Sequence, residues 1–281
     1  MSRVAKRVDV LLSTYNGQDF ISEQIESILT QTYKNVRLII RDDGSNDRTV
    51  DIINAYEKKY DNVLFIGSGQ NLGSTKSFFS LLTQSTSQYV MFCDQDDIWL
   101  PGKVLNCVEF IESKTDLETI PSLVYTDLLP VDSHLNEISD SFLVSGSHYF
   151  GSDFPCEQRL ANNSVAGCTI LMNDLARDLL LKVGFPSCKV VHDHWVAIVV
   201  SYFGRVLFLE KKDILYRQHD KNQVGSMDVD IAYFLKKILR IDYIVRHDLD
   251  LYFELRKKGI KLNILLVVYY KMITNIMRII K

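Results

Sequence analysis

Tyr89-Val90-Met91-Phe92-Cys93-Asp94-Gln95-Asp96-Asp97-Ile98-Trp99 passes abruptly from an apolar run to three carboxylates. The run is too short for a helix and suits a buried strand. On an extended backbone Asp94 and Asp96, two apart, point to the same side. No Lys or Arg lies between them and Lys103. Two carboxylates about 4 Å apart repel by roughly 4 kcal/mol at an effective dielectric near 20. A divalent cation offsets that repulsion. Hard oxygen ligands favour Mg²⁺ or Mn²⁺, and a site with few protein carboxylates shares its metal with substrate phosphates. The competing reading is a solvated acidic turn that caps the next helix.

Upstream of this stretch, strand and helix patterns alternate. Val8 to Leu12, Val36 to Ile40 and Val63 to Ile66 read as strands. Asp19 to Gln31, Thr49 to Tyr60 and Ser74 to Leu82 repeat apolar residues at helical spacing. Downstream, Pro101 suits the first turn of a helix running to about Ser113, and Leu123 to Tyr125 is a fifth strand. Such alternation implies parallel crossovers and a sheet covered on both faces. Ligands then bind beyond the carboxyl ends of the strands. Polar residues gather there: Ser13-Thr14-Tyr15-Asn16-Gly17, Asp42-Asp43-Gly44-Ser45 and the acidic triplet.

The second half is less regular. Residues 130–157, rich in Ser, Gly and Asp, read as a long mobile loop suited to a lid. Asn162-Asn163-Ser164-Val165-Ala166-Gly167-Cys168 leads into a strand ending near Met172. Val191-His192-Asp193-His194-Trp195 opens an apolar helix to about Phe203, and Val206 to Leu209 and Ile214 to Tyr216 read as two strands. Arg217-Gln218-His219 and the polar residues to Gly225 close the body.

At 281 residues, 47% hydrophobic and 24% charged, the composition is that of a globular protein with a real core. The net charge of −3 gives no global signal for nucleic acid. The charge is uneven: residues 228–281 hold 11 Lys and Arg against 6 Asp and Glu, a net of +5, which leaves −8 on residues 1–227. A basic tail on an acidic body points to an anionic partner for the tail. Five widely spaced cysteines without a CxxC argue against a disulfide framework or zinc site and fit a reducing cytosol. The sequence shows no signal-peptide pattern, and no apolar run long enough to span a bilayer.

Several residues carry chemistry in their own right. Asp43 stands at a strand end before Gly44; a carboxylate there can accept from the imide N–H of a base, and Tyr15 can stack on a ring. The alternative for Asp42-Asp43-Gly44-Ser45 is a turn and a helix start at Ser45 or Asn46. Asp193, at the start of a helix, reads as an N-cap or as a carboxylate kept ionised by the helix dipole, as a general base requires, and the two roles are compatible. His192 and His194 lack a third ligand at suitable spacing for zinc. Arg217 and His219 suit a pyrophosphate or a metal; otherwise they are surface loop.

Taken in order, strand-Ser-Thr-Tyr-Asn-Gly, Asp-Asp-Gly-Ser, Asp-Gln-Asp-Asp, His-Asp-His-Trp and Arg-Gln-His resemble family 2 glycosyltransferases of the GT-A fold, over about residues 7–225. Asp-Gln-Asp-Asp-Ile-Trp and His-Asp-x-Trp are most similar to bacterial rhamnosyltransferases of cell-surface polysaccharide assembly. The resemblance implies an α/β GT-A (Rossmann-like) architecture, a mostly parallel sheet flanked by helices. The expected body is 1–227, with a nucleotide-binding half of about 1–127 and an acceptor half of about 128–227; residues 228–281 form a basic amphipathic helical extension.

By the same resemblance Ser13, Tyr15, Asp43 and Asp94 hold the donor nucleotide, with Lys76 and Arg217 assigned to the same donor site. Asp96 and His219 hold Mn²⁺ or Mg²⁺, and Asp193 deprotonates the acceptor. The implied reaction is inverting transfer of L-rhamnose from dTDP-L-rhamnose to a lipid-linked saccharide in cell-wall, capsule or O-antigen assembly. The alternatives are a UDP-hexose donor or a non-catalytic sugar-nucleotide-binding scaffold. A nucleotidyltransferase is disfavoured because Ser13 to Asp19 holds one Gly and no Lys or Arg. Without a Gln-x-x-Arg-Trp motif or membrane spans the chain departs from processive synthases.

From Ile260 to Lys281 the sequence fits an amphipathic helix with basic residues on one side. It is expected to bring a cytoplasmic enzyme to the inner face of the membrane, or else to pack on the body or on a second copy of the chain.

Overall fold

The computed structural model describes residues 5–146, 148–219 and 241–280. The polar close of the body at 220–225, the start of the extension at 228–240 and Lys281 lie outside the described residues.

The first half follows the alternation: β1 (Val8–Thr14), α1 (Ile21–Leu29), β2 (Val36–Asp42), α2 (Thr49–Lys59), β3 (Val63–Ser68), α3 (Ser74–Leu82) and β4 (Tyr89–Cys93). A two-residue β5 (Ile98–Trp99) and α4 (Lys103–Glu112) come next, then β6 (Ser122–Val131), α5 (Phe142–Ser145), α6 (Cys156–Ala161), β7 (Leu171–Asn173), α7 (Asp174–Val183), α8 (His192–Phe203) and β8 (Arg205–Arg217). Two helices close the chain, α9 (Ile241–Lys257) and α10 (Ile264–Ile280).

The strands form one eight-stranded sheet in the order β3-β2-β1-β4-β7-β6-β8-β5. Strands β3, β2, β1 and β4 pair in parallel, as do β6 and β8, while β7 and β5 run antiparallel to their neighbours. Strands buried on both faces read as near-continuous apolar runs, which is why β1, β2 and β4 read so clearly despite Asp9, Arg37 and Arg41. Their alternate residues feed two cores. Leu11, Ile39, Val90 and Phe92 pack with α3, α7 and α8 on one face. Val10, Leu12, Leu38, Ile40 and Met91 pack with α1, α2 and α4 on the other. The extension joins the first core, where Leu251, Leu255 and Ile260 are fully buried.

Two expectations change. The two strands expected at 206–209 and 214–216 are one strand, β8, thirteen residues long, which follows β6 with register shifts at Thr126 to Leu129. The loop expected at 130–157 is pinned. Its first two residues extend β6, Ser141 Oγ donates to Asp127 Oδ2 at 2.6 Å, and Leu143 is buried beneath. Tyr125 and Gly151 exchange two hydrogen bonds, at 3.0 and 2.9 Å, fixing its far end. Helix α2 begins at Thr49, where its periodicity puts it, and the alternative start at Ser45 or Asn46 is excluded because Asp42 takes the Gly44 and Ser45 N–H groups into a turn of its own.

Candidate functional site

The carboxyl ends of β1, β2 and β4 meet the first turn of α8 across a cavity of about 440 Å³. Ser13, Tyr15, Asp43, Asp94, Asp96 and Asp193 all line it. Lys76 is exposed on α3 and Arg217 lies behind the acidic turn; neither lines the cavity.

The nucleotide-side wall is built from side chains that tie loops together. Gln95 accepts from the Tyr15 N–H at 2.8 Å and donates to the Tyr15 carbonyl at 3.1 Å, so the ends of β1 and β4 are clipped together. A side chain at Gly17 would place its Cβ 2.3 Å from Gln95 Oε1, so this clip requires glycine there. Asn16, in the left-handed region at φ 49°, donates its N–H to Ser45 Oγ and accepts from the Asn46 N–H. Asp43 is buried, receives Arg41 Nη1 at 2.5 Å, and accepts from the Leu72 and Gly73 N–H groups at 2.8 and 2.9 Å. Ser13 Oγ donates to Ser77 Oγ at 2.6 Å, beside the same Arg41.

The acidic turn departs from the strand rule used to read it. The backbone leaves β4 at Cys93 and bends at Gln95 and Asp96, yet Asp94 and Asp96 still face the same cavity. His219 Nε2 lies 3.0 Å from Asp96 Oδ2, and the His219 ring stacks on Phe20 with centroids 4.6 Å apart. Asp97 is fully buried; its Oδ1 accepts from the Arg217 N–H at 3.2 Å, and its Oδ2 has no hydrogen-bond partner. The Arg217 guanidinium serves the Asp96 carbonyl at 3.0 Å, the Ser133 carbonyl at 3.1 Å and Glu23. It therefore braces the turn from behind.

Burial, then the charges of Asp96 and Asp193, pushes Asp94 up to about 7. Burial also raises Asp96, against the pull of His219 and Arg217, and it raises Asp97 well above the usual range, with Asp96 and Asp94 adding to it. Three clustered carboxyls that resist ionisation, one with an orphaned oxygen, make a site that a cation would relieve. Asp94 and Asp96 face the cavity, while His219 stands behind them against Asp96 and does not line it; two carboxylates and one imidazole are a donor set that fits Mn²⁺ or Mg²⁺. Cys168 lies within 4.8 Å of Asp94 and Asp97. Burial raises its thiol well above the usual range, so at neutral pH it is uncharged and a poor ligand for hard ions.

Asp193 is not a cap. The N-cap position of α8 is Val191, without a side-chain cap bond. Asp193 instead accepts from Asn163 Nδ2 at 3.0 Å and from the Gly167 N–H at 3.2 Å. Burial pushes it up to about 6, opposed by Asn163 and the backbone N–H groups of His194 and Gly167. It is more basic than an exposed aspartate, yet mostly ionised at neutral pH, which suits a general base. Its neighbour His192 stacks on Phe78 at 4.1 Å, and burial pulls it down to about 3. His194 binds the Arg159 carbonyl at 3.0 Å and is likewise held neutral, at about 4.

The family model described as glycosyl transferase family 2 matches residues 9–173. The dTDP-rhamnosyl transferase RfbG of Shigella flexneri is 33% identical over 226 residues, which cover 76% of this chain and 74% of that protein. The putative teichuronic acid biosynthesis glycosyltransferase TuaG of Bacillus subtilis is 30% identical over 200 residues, 70% of this chain and 73% of that one. Among solved structures, S. aureus TarS 1-349 in complex with UDP-GlcNAc superposes with a TM-score of 0.59 at 18% identity, covering 84% of this chain and 65% of that one. The mannosyltransferase PcManGT from Pyrobaculum calidifontis, in complex with GDP-Man and Mn²⁺, gives a TM-score of 0.55 at 19% identity, with 86% and 63% covered. The chain thus spans less than two thirds of the length of these solved structures, and the likeness to them is one of GT-A fold.

Proposed function

This chain belongs to glycosyl transferase family 2, and we propose that, as such a glycosyltransferase, it moves L-rhamnose from dTDP-L-rhamnose, with inversion, onto a lipid-linked saccharide in surface polysaccharide assembly. The observation that carries the mechanism is the placing of Asp193 and the Asp94–Asp96 turn on one cavity. One carboxylate is held as a base on the α8 side; the others gather at the end of β4. The choice of sugar draws support from the similarity to RfbG.

The donor nucleoside lies against Tyr15, Ser13 and Asp43, and its diphosphate lies toward Asp94 and Asp96. Asp96 and His219, with Asp94 beside them, would hold Mn²⁺ or Mg²⁺, which when bound supplies positive charge to the departing diphosphate. Asp193 takes the proton of the acceptor hydroxyl as that oxygen attacks the anomeric carbon from the face opposite the diphosphate. The C–O bond to the diphosphate breaks as the new one forms, and configuration inverts. Asn163 and the Gly167 N–H hold Asp193 in place without neutralising it. Phe142 and His148, from the pinned segment after β6, wall the cavity and limit the access of water to the donor.

A panel of dTDP-L-rhamnose, UDP-glucose, UDP-galactose and GDP-mannose, scored for nucleotide release with and without Mn²⁺, tests the reading. Release from dTDP-L-rhamnose alone is expected. Turnover of UDP-glucose or UDP-galactose, with none of dTDP-L-rhamnose, overturns the donor assignment.

A further inference from the structure

Helix α10 turns a broad apolar face to solvent. Its body-facing side is mixed: Val267 and Thr274 are buried, and Lys271 Nζ pairs with Asp248 of α9 at 2.6 Å. Its apolar side faces solvent: Leu265 is 76% exposed, Met272 59%, Tyr269 54% and Ile276 50%. At helical spacing these four fall within an arc of about 60°. A surface helix of a soluble monomer shows the reverse arrangement, and a contiguous apolar patch of this kind marks a surface built to be covered.

The surrounding charge identifies the cover. From Arg256 to Lys281 the chain carries seven Lys and Arg and no Asp or Glu. Arg256, Lys257 and Lys261 are exposed at the turn that leads into α10. A second copy meeting this face about a two-fold axis would set one such basic segment against another. A bilayer bearing anionic headgroups satisfies both features, since acyl chains take the apolar side and phosphates take the cations. Among the described residues no helix is long and apolar enough to cross a membrane, so α10 would lie along the surface.

The mounting also has a direction. Helix α10 packs on α6, and the Asn263 N–H ahead of it donates to Glu157 of α6 at 3.1 Å. The chain leaving α6 runs directly to Asn163, which holds Asp193. We propose that α10 rests its apolar side in the interface of an anionic bilayer and so brings the Asn163–Asp193 wall of the cavity close to an acceptor carried by lipid. The acceptor clause rests on the function proposed above; the membrane clause stands without it.

The test is flotation of the full chain with vesicles of phosphatidylcholine, alone or with phosphatidylglycerol, beside a Leu265→Glu/Met272→Glu/Ile276→Glu variant. All three positions are at least half exposed, and circular dichroism checks that the variant folds. The wild-type chain should float with anionic vesicles, roughly tenfold less with neutral ones, and lose binding in about 0.5 M salt. The variant should stay in the dense fraction while its thermal shift with dTDP-L-rhamnose is unchanged. Failure of the wild-type chain to float with anionic vesicles overturns the proposal, as does flotation of the variant equal to wild type. A wild-type dimer that the variant splits, without flotation, would assign the face to a second copy instead. Flotation without any sugar-nucleotide shift would sink the donor reading and leave the membrane site standing.

Discussion

Asn163 Nδ2 donates to Asp193 Oδ1 at 3.0 Å across thirty residues of sequence. The bond holds the carboxylate toward the cavity and favours its charged form, against burial that pushes it up to about 6. Asp193→Asn keeps the size but cannot take a proton, so turnover should fall roughly 10²–10⁴-fold with donor affinity little changed. Asn163→Ala removes a bond that lowers the pKa of Asp193. The base must be ionised to act, so the acid limb of the kcat/KM profile should move to higher pH. An unmoved limb would show that another group sets it.

Asp96→Ala should fold and lose the Mn²⁺-dependent part of donor binding, read as the difference in thermal shift with and without the ion. Full turnover in EDTA, by contrast, would remove the metal from the proposed reaction.

Asp94 carries the clearest pH signature. Burial pushes it up to about 7, so the folded state holds a proton that the unfolded chain has released. Its effect is absent at low pH, where both states are protonated, and stability falls as the pH rises toward 7. Asp94→Asn should therefore stabilise the metal-free protein at pH 8, by roughly 1–3 kcal/mol or a few degrees in Tm. The gain should shrink toward zero near pH 4. A variant less stable than wild type at pH 8 would contradict this.

Far from the cavity, Asp9 is fully buried and receives Arg37 through two bonds, at 2.9 and 2.7 Å, and Ser85 Oγ at 2.7 Å. Burial alone would raise it; the bonds from Arg37, Ser87 and Ser85 outweigh that and hold it below the usual range. Its contribution is present above the ordinary carboxylate pKa and lost as the pH falls through the lowered one. Arg37→Ala leaves the carboxylate buried and short of a partner, and should cost about 3–5 kcal/mol, read by urea unfolding at pH 7.

Arg217→Lys keeps the charge but cannot serve three acceptors in fork geometry. The expected outcome is weaker Mn²⁺ dependence with little change in nucleotide affinity, since the guanidinium braces Asp96 rather than lining the cavity. A selective rise in donor KM would instead place this residue at the diphosphate.

Strands β1, β2 and β4 were legible because burial on both faces makes most of their positions apolar, the paired Asp9 and Arg37 being exceptions. Strand β8 was not. Only Ile214 and Leu215 pair with β5, so most of one edge is open, and Glu210 and Lys211 sit exposed in its middle. Those charges broke one strand into two apparent ones, as open edges allow. Strand β5, at two residues, carries no periodic signal. The motif residues at strand ends could be read, because parallel sheets place such ends together. The partners of Asp193 could not: Asn163 and Gly167 sit in an irregular turn whose position depends on packing against α8. Gly167 has one local reason, since a Cβ there would meet His192 Nε2 at 2.4 Å. The contacts of Arg217 were hidden for a different reason, since two of its acceptors are backbone carbonyls, which no side-chain pattern announces.

Residues 94–97 are anchored on both sides by the same sheet: β4 ends at Cys93, and Ile98 and Trp99 pair with Leu215 and Ile214 of β8. A chelating loop held at one end must surrender conformational freedom when it closes on an ion. This turn has surrendered it during folding. For a cation entering the proposed site, the association should therefore carry little ordering penalty and a small change in heat capacity. Discrimination between ions of different radius would then come from a spacing set by the sheet, as in a rigid macrocycle, and not from the reach of a flexible arm.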